Sequence, residues 1–544
     1  MVGEARQLYR GYRHPFVNGR RHIGGVGDSP RTLIDLAMSK LSASLRREQD
    51  WWTRFHDPGT RAEWAAKALT STWAVRTPVN WIEISLSPHQ INYVLDELDG
   101  YANLRDTQNQ CQVACFERIW YSTPFLNEAL LVEVDRELSS LREVQMSWDP
   151  RVGTTVDIID PFLHCLVYGR TLAYDSQNSD RVLPEPHLPM YDIENTAAVS
   201  KTFACLPTDF AVSSSGAVKA LSYINNLHPR HVSLHNCIEN LLSKIVPLFE
   251  HVLTDLHEDN PMSQRIKTPL KLVTEPEPPE FSDDEQGWAV YESRTREWVM
   301  NKPIQLPDVP RAGYAGGLEN RRHTVQLKGR TLQVIVRVTD TRLEPNGNDY
   351  LGSSWHVEGM KNERIVACAF YYLTVENVIG NAVDFRMAVT SPRGDRGAVL
   401  RTYGLDRGDA CHQFIGSIPT YTGLCVAFPN IYQVQHMPFR LADPSKEGHQ
   451  RVLQFFLVDP DIAPIVSTSR IAPQQVEWFM RAVHSSKRFP IELSEKIAND
   501  VDGVMNRGEA ESYRDVMASE RRAYEAVNNF QYFCIPFDTN LDTF

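Results

Sequence analysis

Apolar positions change their spacing twice along this chain. They recur at helical spacing through the first half, alternate with polar positions from about residue 325 to 458, and return to helical spacing after Pro460. Leu33, Ala37 and Leu41, with Ile34, Met38 and Leu45, form the first stripe, the recurrence expected of an amphipathic helix. Ser29-Pro30 ahead of it reads as an N-cap with a first-turn proline. Trp51, Trp52, Phe55 and Trp64 continue a helical region to about Leu69, and an aromatic stripe at that spacing reads as core. Residues 80–147 are again mostly helical, with Thr123-Pro124 opening a helix through Phe125, Leu126, Ala129, Leu130 and Val134 to Leu141. Residues 199–226 mix strand and turn signals, and a long helix is predicted over about Val232 to Leu256.

From 325 the period becomes two. Leu332, Val334, Val336 and Val338 alternate with Gln333, Arg337 and Thr339, as in a half-buried strand. Ile365–Leu373, Val383–Val389, Ala398–Tyr403, Leu424–Phe428, Ile431–His436 and Val452–Val458 follow as further strands, separated by Gly, Pro, Asn and Asp. Seven short strands with regular turns predict a sandwich or barrel. Pro473–Val483, Ile491–Val501 and Glu509–Asn528 then predict helices. The fold class expected is α+β: a double-stranded β-helix (jelly-roll, cupin-like) barrel with a large helical N-terminal region and C-terminal helices. The expected divisions are a mainly helical region over 1–270, an acidic proline-rich connection over 271–310, the barrel over 311–465 and a helical extension over 466–544.

Composition narrows the class. With 42% hydrophobic and 10% aromatic residues, the 544-residue chain forms a core. A net charge of −12 argues against nucleic acid or an anionic membrane as partner. The nine cysteines are scattered, odd in number and without C-x-x-C, and read as reduced, buried thiols. Cys111 and Cys115 have the spacing of half a metal site but no second pair. No apolar run is long enough to span a bilayer and the polar, basic N-terminus lacks a secretory core, so a cytoplasmic or nuclear protein is expected.

The candidate chemistry lies at the start of the strand-rich region. His356 and Glu358 are two positions apart, on one face of an extended segment, where imidazole and carboxylate converge on one metal ion. Completed by a distant histidine, such a pair is the facial triad of non-haem iron oxygenases. His412, His436 and His449 compete for the third position. His436, at the end of a β-rich run, is the first choice because strand-borne ligands are better pre-organised; a core histidine bonded to a backbone carbonyl is the competing reading. Arg451 opens the apolar strand 451–458 and calls for a buried anion, such as the far carboxylate of 2-oxoglutarate. Trp355, Tyr371 and Tyr372 are candidate pocket residues, with core packing as the alternative. His228, His231 and His235 suggest zinc, but without the glutamate of H-E-x-x-H they read as surface or capping residues. Nucleotide-binding and serine-hydrolase motifs are absent.

Longer stretches carry a resemblance. Val167-Tyr168-Gly169-Arg170, Leu206-Pro207-Thr208-Asp209-Phe210, Ser354-Trp355-His356-Val357-Glu358-Gly359, Gln435-His436 and Phe456-Leu457-Val458-Asp459-Pro460 resemble a fungal family catalogued as a domain of unknown function, with a barrel like those of 2-oxoglutarate- and iron-dependent oxygenases. The resemblance implies His356, Glu358 and His436 as iron ligands and Arg451 as co-substrate anchor. It also implies an oxidoreductase using Fe(II), 2-oxoglutarate and dioxygen for hydroxylation or desaturation, and the substrate expected is a small molecule rather than a protein side chain. The alternatives are an inactive barrel serving as a scaffold, and a zinc or other divalent-metal enzyme without oxygen chemistry.

Overall fold

Among the described residues two larger antiparallel sheets, four two-stranded ones and the helices against them build the protein. In the computed structural model residues 11–16, 27–123, 126–148, 154–175, 182–186, 197–266, 279, 283–301, 306–392, 396–406, 408–485 and 490–537 are described. The larger sheet has nine strands. Eight run in the order Val218–Ala220, Thr208–Val212, Thr331–Leu343, Gly448–Val458, Ile365–Glu376, Cys425–Pro429, Trp120–Ser122 and Gln112–Val113. The ninth, Thr155–Ile159, shares one edge of Thr331–Leu343 with Thr208–Val212, pairing at 338–341 while its companion pairs at 331–334. The smaller sheet consists of His412–Pro419, Ala382–Ala388 and Tyr432–His436.

Aromatic rings join the sheets. Phe385 of the small sheet lies 5.1 Å from Phe428 of the large one, and Phe428 lies 5.1 Å from Phe370. All three are fully buried, each worth roughly 1.5–3 kcal/mol of transfer free energy. The other face of the large sheet is covered by the helices Val232–Leu256 and Glu128–Trp148. Trp120 Nε1 donates to Asp255 Oδ2 at 2.8 Å, tying the first of these helices to the sheet. The helix Arg507–Asn528 is started by Asn506, whose side chain accepts from Glu509 N at 2.9 Å. Its Arg521 and Glu525 reach the loops at the sheet ends.

Several expectations change. The run 398–403 belongs to a helix, Arg396–Tyr403, rather than a strand. The first long helix starts at Leu33 with Thr32 as its cap, and Asp28 instead forms a parallel bridge with Val389. Within the acidic segment, Glu285–Asn301 is helical, while 267–278, 280–282 and 302–305 fall outside the described residues, as do Pro124 and Phe125. The large sheet crosses the divisions expected at 270 and 311, because five of its strands come from residues 112–220. Helices and sheets are thus mixed, as expected. All nine cysteines are free, eight of them buried. Among the described residues no helix is long and apolar enough to cross a membrane.

Candidate functional site

His356, Glu358 and His436 line one cavity of about 600 Å³. The segment bearing the first two lies along the strand Tyr432–His436: His356 N donates to Val434 O at 3.2 Å, and Val434 N to His356 O at 2.9 Å. Ser353 fixes the end of that strand, its N donating to His436 O at 3.0 Å and its Oγ accepting from His436 N at 2.9 Å. Two glycines bracket the segment. Gly352 has φ +83° and a Cβ there would meet His436 O at 2.7 Å. Gly359 has φ +70° and a Cβ would meet Glu363 Oε2 at 2.7 Å. Neither position accepts a side chain without displacing the segment that bears His356 and Glu358 or its support.

Asn430, almost fully buried, holds the carboxylate-bearing residue from below. Its Oδ1 accepts from Glu358 N at 2.8 Å, while its Nδ2 donates to Glu358 O at 2.8 Å and Ile365 O at 3.0 Å. His356 Nδ1 lies 2.8 Å from Ser354 O and its Nε2 lies 3.4 Å from Glu358 Oε1. A carbonyl at Nδ1 keeps a proton there, so Nε2, which faces the carboxylate as a donor while the ring is charged, is the nitrogen left to hold a metal once its own proton is lost.

The electrostatics of the three differ. Burial opposes a charged His356, but the hydrogen bond and charge of Glu358 outweigh it and push the ring up to about 8. Burial raises Glu358, yet the His356 hydrogen bond and charge hold it below the usual carboxylate range. His436, stacked 5.4 Å from Phe370, is driven down to about 4 by burial and then by the charge of His356. A neutral imidazole, a carboxylate and a second imidazole whose proton a cation displaces are donor types that a divalent metal uses. The donor atoms of His356, Glu358 and His436 do not all lie within 4.8 Å of one another; they share the cavity without closing on one point.

Arg451 does not join them. In the pairing of Thr331–Leu343 with Gly448–Val458, Arg337 stands opposite Gln454 and Asp340 opposite Arg451. Arg337, Thr339 and Gln454 line the cavity; Asp340 and Arg451, of opposite parity, face the helix Glu128–Trp148. There Arg451 Nε donates to Asp340 Oδ1 at 2.8 Å, its Nη1 is paired with Asp135, and its Nη2 lies 3.3 Å from Ser139 Oγ. Arg142 adds an ion pair to Asp340 at 2.6 Å. The anion that Arg451 calls for is Asp340, and the expectation of a cavity cation at 451 is corrected accordingly. The sheet cation inside the cavity is Arg337, which donates to Asp157 through Nε at 3.0 Å and Nη2 at 2.6 Å.

The competing histidines have other partners. His449 Nε2 contacts Asp340 Oδ1 at 2.5 Å, and His412 Nδ1 lies 3.0 Å from Phe533 O. Trp355 packs on Phe414 beneath Arg386, and neither it nor Tyr371 nor Tyr372 lines the cavity. His231 precedes the helix Val232–Leu256 without capping it and pairs with Glu137 at 3.4 Å. Spacing alone did not expose the group Asp106, Cys111 and His251, whose donor atoms all lie within 4.8 Å. Asp106 there accepts from Asn109 N at 3.0 Å and Asn109 Nδ2 at 2.7 Å and pairs with His251 at 3.1 Å, so its oxygens are already engaged.

The family model described as "Protein of unknown function (DUF4246)" matches residues 88–482. The chain belongs to that family. No curated protein matches it. Among solved structures, it is similar to AviO1 from Streptomyces viridochromogenes Tue57, at 8% identity and a TM-score of 0.22, over 64% of this chain and 93% of that one. The Fe(II)/(alpha)ketoglutarate-dependent dioxygenase TqaL matches at 11% identity and a TM-score of 0.20, over 49% of this chain and 70% of that one. IDO from Bacillus thuringiensis matches at 11% identity and a TM-score of 0.17, over 24% of this chain, which spans 47% of the IDO chain.

Proposed function

We propose that this DUF4246 protein is a non-haem iron(II), 2-oxoglutarate-dependent dioxygenase that hydroxylates or desaturates a small molecule, with its two sheets forming a jelly-roll barrel. The observation that carries the reading is the meeting of His356, Glu358 and His436 in one cavity with Arg337 on the adjoining wall. His356, Glu358 and His436 would hold the metal, which in this chemistry couples oxidative decarboxylation of 2-oxoglutarate to oxidation of an unactivated C–H bond. The chain's own part is to orient and enclose. Ser354 O and Asn430 fix the ligand pair. Arg337 and the amide of Gln454, opposite each other in the sheet, offer a guanidinium and a hydrogen-bonding side chain to the far carboxylate of the co-substrate. The role expected of Arg451 thereby passes to Arg337.

Anaerobic addition of iron(II) and then 2-oxoglutarate is the direct test. A weak visible charge-transfer band is expected in wild type and absent in His356→Ala, Glu358→Ala and His436→Ala. Oxygen-dependent succinate formation should track that band. Zinc retained with no succinate would support the divalent-metal enzyme instead, and absence of any metal affinity would leave a scaffold.

A further inference from the structure

The cavity-facing stripe of the helix Arg507–Asn528 has an unusual composition for a packing face. Arg507, Arg514 and Arg521, seven residues apart and therefore on one side of the helix, line the cavity with Ala518 and Glu525 between and beyond them. The apolar stripe that docks the helix runs beside them through Ala510, Met517 and Tyr524. Arg521 is the most constrained of the three, with only 6% of its surface exposed. Its Nη2 donates to Glu363 Oε1, and Glu363 also accepts from Cys205 N at 2.7 Å and Met360 N at 2.9 Å. One carboxylate is thus shared by three donors. The Nε and Nη1 of Arg521 are buried with no hydrogen-bond partner among the described residues, a cost that folded proteins seldom leave uncompensated.

The cavity's own carboxylates do not fill that role. Asp157 is taken by Arg337 and by Thr339 Oγ1 at 2.7 Å, Asp160 Oδ1 accepts from Phe162 N at 2.8 Å, and Glu525 meets Ser354 Oγ at 3.3 Å. Arg514 pairs with Asp515 at 3.0 Å. We infer that the substrate oxidised at this site carries an anionic oxygen group, a carboxylate or a phosphate, received by Arg521 with Arg514 beside it on the helix wall. The inference rests on the dioxygenase reading for what happens to that substrate, but not for the anion site itself. Arg337 serves the co-substrate on the sheet wall and Arg521 the substrate on the helix wall, with Phe162 as common neighbour, its ring centroid 6.0 Å from one guanidinium carbon and 5.9 Å from the other.

Calorimetric titration of the metal-free full chain with inorganic phosphate and, separately, with propionate tests the site. At least one probe should bind wild type in the millimolar range, phosphate or propionate preference indicating which group the substrate bears. Arg521→Gln should weaken that binding at least tenfold. In parallel, 2-oxoglutarate titrated into the Mn(II)-loaded protein should bind Arg521→Gln as tightly as wild type. Should Arg521→Gln fail to fold, Arg521→Lys, which keeps the charge and loses the fork, and Arg514→Gln must each weaken the probe at least threefold. The inference is overturned by wild type binding neither probe, by undiminished binding in the arginine variants, or by loss of 2-oxoglutarate along with the probe in Arg521→Gln. Probe binding that depends on Arg521 in a protein that takes up no metal would retain the anion site and remove the dioxygenase reading.

Discussion

Arg451 and Arg337 separate two kinds of buried arginine. Arg451 is fully buried and balanced by the equally buried Asp340, with Arg142 and His449 on the same carboxylate. Removing one member of such a group leaves the others uncompensated, at about 3–5 kcal/mol. Arg451→Ala is therefore expected to lower the midpoint of chemical denaturation strongly while leaving 2-oxoglutarate affinity in the folded fraction unchanged. Arg337→Ala should do the reverse, weakening 2-oxoglutarate at least tenfold in a titration of the Mn(II)-loaded protein with a smaller loss of stability. Equal effects on affinity from both variants would refute this division. The sequence could not assign the two because the strand 451–458 is apolar on both faces, so nothing in it states which parity looks inward. Arg337 was visible as a polar position between Val336 and Val338, but polar parity in a strand usually means solvent, and here it means the cavity.

Elements with their own start and stop signals were legible. The helix Val232–Leu256 follows from its sustained apolar stripe, and Arg507–Asn528 begins two residues before the expected start, at the Asn506 cap. The run 398–403 was misread because six residues containing Ala, Val and Leu satisfy a strand and a helix equally, and among the described strands none pairs with it. The strands between 112 and 220 are mostly two to five residues long and gain their stability from the sheet they join, a long-range contact that periodicity does not carry. The segment His356-Val357-Glu358-Gly359 stood out in the sequence as a candidate site, but its support did not, because Asn430 acts from 72 positions away. Asn430 is a positioning residue. Asn430→Ala would leave the Glu358 N–H and two carbonyls without partners, costing about 1–3 kcal/mol. Metal affinity should fall 10–100-fold, as for supporting residues of other metal sites. Thermal melts and Mn(II) titration read the two separately, and a destabilised variant with wild-type Mn(II) affinity would make Asn430 merely structural.

At the scale of the whole molecule, buried histidines couple the fold to pH. His164 is driven down to about 4 by burial, against its hydrogen bond with Asn226 Oδ1 at 2.9 Å. His412, which ties the small sheet to the C-terminal segment through Phe533 O, is driven down to about 3 by burial and then by the charge of Arg386. Unfolded, both rings titrate near 6.5, so in acid the unfolded chain binds protons that the folded one refuses. Their contribution is complete above pH 6.5 and is lost as pH falls toward 4 and 3, roughly 3–5 kcal/mol each at most. Asp340 acts lower. Burial raises it, but the His449 hydrogen bond and the Arg451 charge prevail and hold it at about 2, so its contribution is complete above about 4 and lost toward 2. Melting temperature should therefore fall in two stages, first between pH 6.5 and 4 and then more steeply below. His412→Asn, which keeps a donor for Phe533 O, should lower the melting temperature at pH 7 and flatten the first stage. An unchanged slope between pH 6.5 and 4 in both His412→Asn and His164→Asn would show that the acid sensitivity arises elsewhere in the fold.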